Sequence, residues 1–193
     1  MTDTRRTGHK HPPSGPWIIS TKELGRRPGT MQEVRREVPA PADLGLELIK
    51  VPEGDPIDLD LKLESVAEGV LISGLVTATA QGECGRCLDP VSERIAVPLM
   101  ELFAYPGSAT EETTDEDEVA RLVDDRADLE PAVRAAIVLA LPLTPLCDPD
   151  CAGLCAGCGE RLDDLPEDHT HEQIDPRWAA LQEKFGTPDT SAE

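Results

Sequence analysis

The sequence predicts an α+β protein: an antiparallel β-rich body, one packing helix and a Cys-rich C-terminal segment. Three observations predict it. Across residues 44–105 apolar side chains recur at every second position. Across 129–141 they recur four apart, the spacing of one helix face. Six cysteines fall into two tight groups, at 84–87 and 147–158.

Each element follows from local chemistry. Residues 1–15 are polar, with Gly8, Pro12 and Pro13, and are expected to be a disordered tail. Trp17, Ile18 and Ile19 start the ordered chain as a short strand. Gly25–Thr30 (GRRPGT) is a turn, in which Pro fixes φ and Gly frees it. Met31–Val38 fits either a strand or a helical turn. Leu44, Leu46 and Leu48 alternate with polar or small residues, and VPEGDP at 51–56 is a Pro/Gly turn. Ile57, Leu59, Leu61 and Leu63 then alternate with Asp58, Asp60, Lys62 and Glu64, giving one dry face and one wet face. Val70–Ala80 and Val91–Tyr105 are two longer β runs. Pro98 lies inside the second, which predicts an edge or a bulge there, because proline has no N–H for a ladder.

Residues 107–127 carry eight acids between Glu111 and Asp125, with Val119, Leu122 and Val123 as apolar anchors. A loop with one helical turn is expected. Asp128 can cap a helix that Pro131 starts and Pro142 stops, with Leu129, Val133, Ile137 and Leu141 on its apolar face. A second short helix is expected from Asp175-Pro176, presenting Trp178, Leu181 and Phe185. The implied organisation is a tail at 1–15, a β-rich domain at 16–106, an acidic linker at 107–127, a helix with a Cys/His segment at 128–185, and a tail at 186–193.

Charge and composition narrow the function. The 193 residues carry 18 Lys/Arg against 38 Asp/Glu, a formal charge of −20. Residues 1–50 hold nine basic and six acidic side chains, and residues 51–193 hold nine and 32. Phosphate affinity comes mainly from Lys and Arg, so any nucleic-acid contact must be local. Lys22, Arg26, Arg27, Arg35 and Arg36 form its candidate stretch, against the alternative of a solubilising charge balance. The acidic remainder favours a basic protein partner or simple solubility. No run of eighteen apolar residues exists and the first residues lack an apolar signal core, so neither a membrane span nor export is expected.

The cysteines carry the chemistry. The first group is Cys84-Gly85-Arg86-Cys87; the second is Cys147, Cys151, Cys155 and Cys158, followed by His169 and His171. Disulfides would need an oxidising compartment. A thioredoxin-like pair would sit between a strand and a helix, whereas LDPVSERIAVPL after Cys87 reads as turn and strand. Metal binding remains. Two thiolates two residues apart reach one tetrahedral Zn²⁺, and a Gly after the second Cys, present as Gly159, permits the tight knuckle. One ligand set is Cys147, Cys151, Cys155 and Cys158. Another is Cys155, Cys158, His169 and His171. With Cys84 and Cys87 the eight candidates can also fill two sites, or Cys84 and Cys87 can be a small buried pair pinning a hairpin. HExxH, HxE…PCxxC, GxSxG, GxxxxGK[ST] and GxGxxG are all absent from the sequence. Thiol-rich ligation therefore predicts a structural zinc, worth on the order of 10 kcal/mol to folding, and not an enzyme.

The runs ELGRRPGTMQEV, LGLELIKVPEGDPIDLDLKLESVAEGVLISG, GECGRCLDPV, LPLTPLCDPDCAGLCAGCGERLD and IDPRWAAL together resemble the YceD family, the large ribosomal RNA subunit accumulation proteins, in an actinobacterial form. The resemblance spans about residues 16–183. It aligns Cys84, Arg86, Cys87 and Leu88 with the family's Cys-x-Arg-Cys-Leu motif. His169 and His171 stand where relatives commonly carry Cys-x-Cys, an exchange natural for zinc ligands. The family implies a cytoplasmic, non-enzymatic factor that supports 23S rRNA processing and large-subunit assembly. Its implied partner is large-subunit rRNA or a pre-ribosomal particle. Arg86 is then a candidate phosphate contact, or the partner of an acid such as Glu83. The alternative is an acidic zinc-stabilised module that holds a basic ribosomal protein.

Overall fold

The computed structural model describes residues 14–115, 119–171, Arg177 and Lys184. It divides into two compact units, Met1–Cys147 and Asp148–Glu193. The expected tails, apart from Ser14 and Gly15, and the expected helix with Trp178, Leu181 and Phe185 lie outside the described residues.

The first unit is built on a seven-stranded sheet. Its strands include β2 (Met31–Pro39), β3 (Leu44–Gly45), β4 (Ile49–Val51), β5 (Pro56–Ser65), β6 (Gly69–Glu83) and β7 (Pro90–Ala104). The order β2-β5-β6-β7 is antiparallel throughout. β4 takes the end of β6 that β5 leaves open, with Ile49 opposite Gly82, and β3 pairs with β4. β1 (Ile18–Ser20) stands apart from this sheet and pairs with β9 (Arg126–Asp128).

The alternating pattern decides which face is dry. In β5, Ile57, Leu59, Leu61 and Leu63 are each at most 2% exposed, while Asp58 and Asp60 face outward. Met31–Val38, which the sequence left between strand and helix, lies in strand β2 because β5 supplies a ladder along its whole length. β6 and β7 form the longest hairpin, in register from Gly69 opposite Ala104 to Glu83 opposite Pro90. Among the described residues, only β8 (Ala120–Arg121) lies across β7 from β6, pairing with Phe103 and Ala104. Ala104 turns its carbonyl to the Leu122 amide on that side, at 3.0 Å. Pro98, six residues earlier and in phase with it, is thus at an open edge, as its missing N–H requires.

The acid-rich stretch contains the expected helical turn, α1 (Ala109–Thr113), capped by the Ser108 hydroxyl. It also contains β8 and β9, which the sequence did not predict. Leu122 at 2% exposure and Ala127 at 0% supply the burial that holds them. α2 (Glu130–Ala140) buries Val133 and Ile137, flanked by buried Leu129 and Leu141. Asp128 Oδ1 accepts the Glu130 amide at 3.1 Å, although the residue at the cap position is Leu129. The boundary between units falls at Cys147, and α2 packs with the sheet inside the first unit.

The second unit, where described, has one isolated bridge, Leu154 with Arg161, and one 3-10 turn, Leu162–Asp164. Among its described residues only Cys151 and Gly153 are buried.

Candidate metal centres

Cys84–Asp89 is the turn between β6 and β7, so the longest hairpin presents the first cysteine pair at its tip. The turn is a knuckle. The Arg86 amide points at Cys84 Sγ (3.4 Å), the Leu88 amide donates to the Cys84 carbonyl (3.0 Å), and the Cys84 amide donates to the Asp89 carbonyl (2.7 Å). After α2 the chain returns along this tip, where the Gly85 amide donates to the Pro145 carbonyl at 2.8 Å. A side chain on residue 85 would collide with Thr144 Cγ2, so glycine permits the approach. Cys147 follows, its Sγ 3.4 Å from Cys87 Sγ. A disulfide needs about 2.05 Å, and all six cysteines are free. Two thiolates bound at about 2.3 Å to one tetrahedral ion lie about 3.8 Å apart. The sulfurs of Cys84, Cys87 and Cys147 all lie within 4.8 Å of one another, a spacing that fits such an ion.

Electrostatics prepare this group for a cation. Burial pushes the Cys84 thiol up, but backbone donors at Cys87, Cys147 and Arg86, with the Cys87 side chain, outweigh it and bring the thiol down to about 6. The thiolate is the metal ligand, so this favours the binding form.

Cys155–Glu160 in the second unit repeats the knuckle. The Gly157 amide points at Cys155 Sγ (3.4 Å), the Gly159 amide donates to the Cys155 carbonyl (2.8 Å), and the Cys155 amide donates to the Glu160 carbonyl (2.7 Å). Amides at Cys158 and Gly157 hold the Cys155 thiol below its usual range, against its partial burial. His169 Nε2 lies 3.5 Å from both Cys155 Sγ and Cys158 Sγ. Sulfur and nitrogen on one tetrahedral zinc stand about 3.5 Å apart. The His171 ring meets His169 edge-on, with centroids 4.5 Å apart. A side chain on residue 157 would overlap the His171 ring. The ligand atoms of Cys155, Cys158, His169 and His171 lie within 4.8 Å of one another.

Two Cys/His groups can therefore hold a metal ion. The set of four C-terminal cysteines on one ion is not what the structure assembles, because Cys155 and Cys158 gather with the histidines and Cys147 with Cys84 and Cys87. Cys151 opens the second unit, buried, with its amide donating to the Asp148 carbonyl at 3.1 Å. The sequence did not reveal that the Cys84 knuckle has the Cys155 geometry. It lacks the glycine, but Leu88 takes the left-handed conformation (φ 64°) that Gly159 takes at 77°.

The arginines have varied surroundings. Arg26 pairs with Asp125 at 3.0 Å and lies over the Tyr105 ring, 4.9 Å from its centre. Arg35 pairs with Asp60 at 3.2 Å. Arg36 donates to the carbonyls of Pro16 and Ile18, at 3.2 and 3.0 Å. Arg35 and Arg36 line a shallow groove with Arg94, Asp58 and Asp60. Arg26, Arg27, Arg35, Arg36 and Arg86 are all exposed, Arg86 at the hairpin tip. Arg26, Arg35 and Arg36 are each engaged within the fold.

Comparison with known proteins places residues 72–183 under the family model described as "Large ribosomal RNA subunit accumulation protein YceD". An uncharacterized protein of Mycobacterium tuberculosis is 54% identical over 180 residues, 93% of this chain and 86% of the relative. One from Mycobacterium leprae is 46% identical over 178 residues, 91% and 82% of the two chains. The uncharacterized protein YlbN of Bacillus subtilis is 27% identical over 133 residues, 68% and 73% of the two chains. No solved structure matches. Among the described residues no helix is long and apolar enough to cross a membrane.

Proposed function

The chain belongs to the YceD family of large ribosomal RNA subunit accumulation proteins, and we propose that it supports 23S rRNA processing and large-subunit assembly as a cytoplasmic factor that catalyses no reaction. The observation that carries this reading is the match over residues 72–183, which contains both knuckles and every candidate ligand. The working contact is with precursor rRNA or an early assembly particle. Arg86, exposed at the end of a rigid hairpin, supplies the guanidinium best placed to reach a phosphate. Arg27, also exposed, is a second candidate. Depletion of the protein is expected to lower mature 23S rRNA relative to 16S rRNA. Unchanged rRNA and subunit profiles would remove the proposal.

The metal in this reading is zinc, at two structural sites. Sulfur and mixed sulfur–imidazole donor sets at tetrahedral spacing suit it. Cys84, Cys87 and Cys147 supply three ligands of the first. Cys155, Cys158, His169 and His171 form the second. Bound zinc supplies fixed geometry, and the protein's own knuckle amides stabilise the thiolates.

A second reading has one observation in its favour. The formal charge of −20, with Arg26, Arg35 and Arg36 engaged internally, suits an acidic module that holds a basic ribosomal protein. Affinity capture separates the two. RNase releases partners bridged by RNA and leaves a directly held basic protein attached.

A further inference from the structure

The two metal groups share a knuckle but differ in what holds their ligands in place. At the first, Cys147 is exposed, but Cys84 and Cys87 are 0% and 5% exposed and close a hairpin whose strands pair along their full length. Pro145 docks on the knuckle from the other side. The sheet beneath them has its own core, including Leu61, Ile72 and Phe103, each at most 1% exposed. That scaffold needs no ion to fold, so the first site is largely preformed.

Among the described residues nothing comparable supports the second group. Cys158 and His171 are exposed, and Cys155 and His169 are half-buried. The described residues of the unit bury no apolar side chain larger than cysteine. Leu162 is 39% exposed, and Leu154 and Leu165 are half-buried. Among the described residues its backbone is held by one bridge, a 3-10 turn and a few short-range hydrogen bonds, such as that from the Leu162 amide to the Gly153 carbonyl at 2.9 Å. Ordering a residue costs on the order of 1–2 kcal/mol, and apolar burial on this scale does not offset that for 154–171. What draws Leu154–Glu160 to His169 and His171 is the meeting of four ligand atoms.

We propose that the second group is an exchangeable zinc site whose occupancy folds residues 154–171, while the first ion is retained permanently. The inference rests on the zinc reading above. It adds that the two ions have different roles: one is a fixed staple, and the other makes the order of the second unit follow the supply of free zinc. Exposure gives a competing chelator a path to the second ion. Coupling of binding to folding lowers its net affinity, because part of the binding free energy is spent on ordering the chain.

The test uses the full-length chain loaded with zinc. Metal content by native mass spectrometry is followed during challenge with EDTA, alongside amide NMR spectra. One ion is expected to leave on the order of tenfold faster or more than the other. Amide signals of 154–171 should then collapse to random-coil positions, while those of the sheet stay in place. Added zinc should restore them. His169→Ala should bind one ion instead of two and show the collapsed signals without chelator, and its sheet signals should not move. Loss of both ions at one rate overturns the inference, as does a folded 154–171 after loss of the second ion, and both outcomes leave the zinc reading intact. A chain that binds no zinc overturns both.

Discussion

At the scale of single residues, the two knuckles form a matched pair that differs where the backbone turns left-handed. Leu88 adopts φ 64° with a bulky side chain that is 59% exposed. For an L-residue that conformation costs about 1–2 kcal/mol. Leu88→Gly removes the strain but adds unfolded-state entropy, so a net gain of about 0.5 kcal/mol is expected. A chemical denaturation midpoint that rises slightly would confirm it, and a fall would show that the exposed leucine packs more than its accessibility suggests. The reverse change at the second knuckle has the opposite sign. Gly159→Ala imposes the same penalty on a turn with no core behind it, so weaker zinc retention is expected, read by competition with a chromogenic chelator. Gly157→Ala should be more damaging, since the new methyl overlaps the His171 ring. Among the arginines, Arg35 and Asp60 are 77% and 60% exposed as a pair. Exposed ion pairs contribute less than about 1 kcal/mol. Arg35→Ala should therefore leave the melting curve nearly unchanged, and any loss of rRNA crosslinking in that variant would report contact and not folding.

At the scale of elements, the sheet owes its register to alternation. Leu61 lies between β2 and β6, opposite Val34 on one side and Gly74 on the other, and is 1% exposed. Leu61→Ala is expected to destabilise the first unit by about 2–5 kcal/mol through lost burial and the cavity left behind. Equilibrium unfolding followed by circular dichroism measures it. The β6–β7 hairpin both carries the Cys84 knuckle and fixes its direction, so its register is also the register of the first metal group. A shift of one residue would turn every side chain to the other face. Pro98 protects the open edge of β7 by removing a donor midway along it.

At the scale of the whole molecule, charge sets behaviour. With −20 formal charges the chain repels nucleic acid at long range, so an rRNA contact through Arg86 is expected to be short-ranged. Capture of a basic protein, by contrast, should weaken steeply as salt rises, because unlike charges attract over a Debye length of about 10 Å at 0.1 M. Comparing pull-downs at low and moderate salt, with and without RNase, tells which attraction dominates.

Much of this was legible in the residues. Ile57, Leu59, Leu61 and Leu63 determined a strand with one buried face, because a period of two has no other compact solution. Leu129, Val133, Ile137 and Leu141 determined α2 in the same way. Cysteine spacing, with His169 and His171, marked the groups that can hold a metal ion, because thiolates two residues apart suit a tetrahedral cation. β8 and β9 were not legible, since two or three residues in an acidic stretch carry no period of their own and are held by Leu122 and Ala127 in a core built by other segments. Tertiary structure alone decided how the ligands divide. Cys87 and Cys147 are 60 positions apart and meet because the hairpin tip and the chain leaving α2 share the Gly85–Pro145 hydrogen bond. Spacing along a chain limits which ligands can meet, but contacts between distant segments choose among them, and those contacts exist only once the sheet has folded.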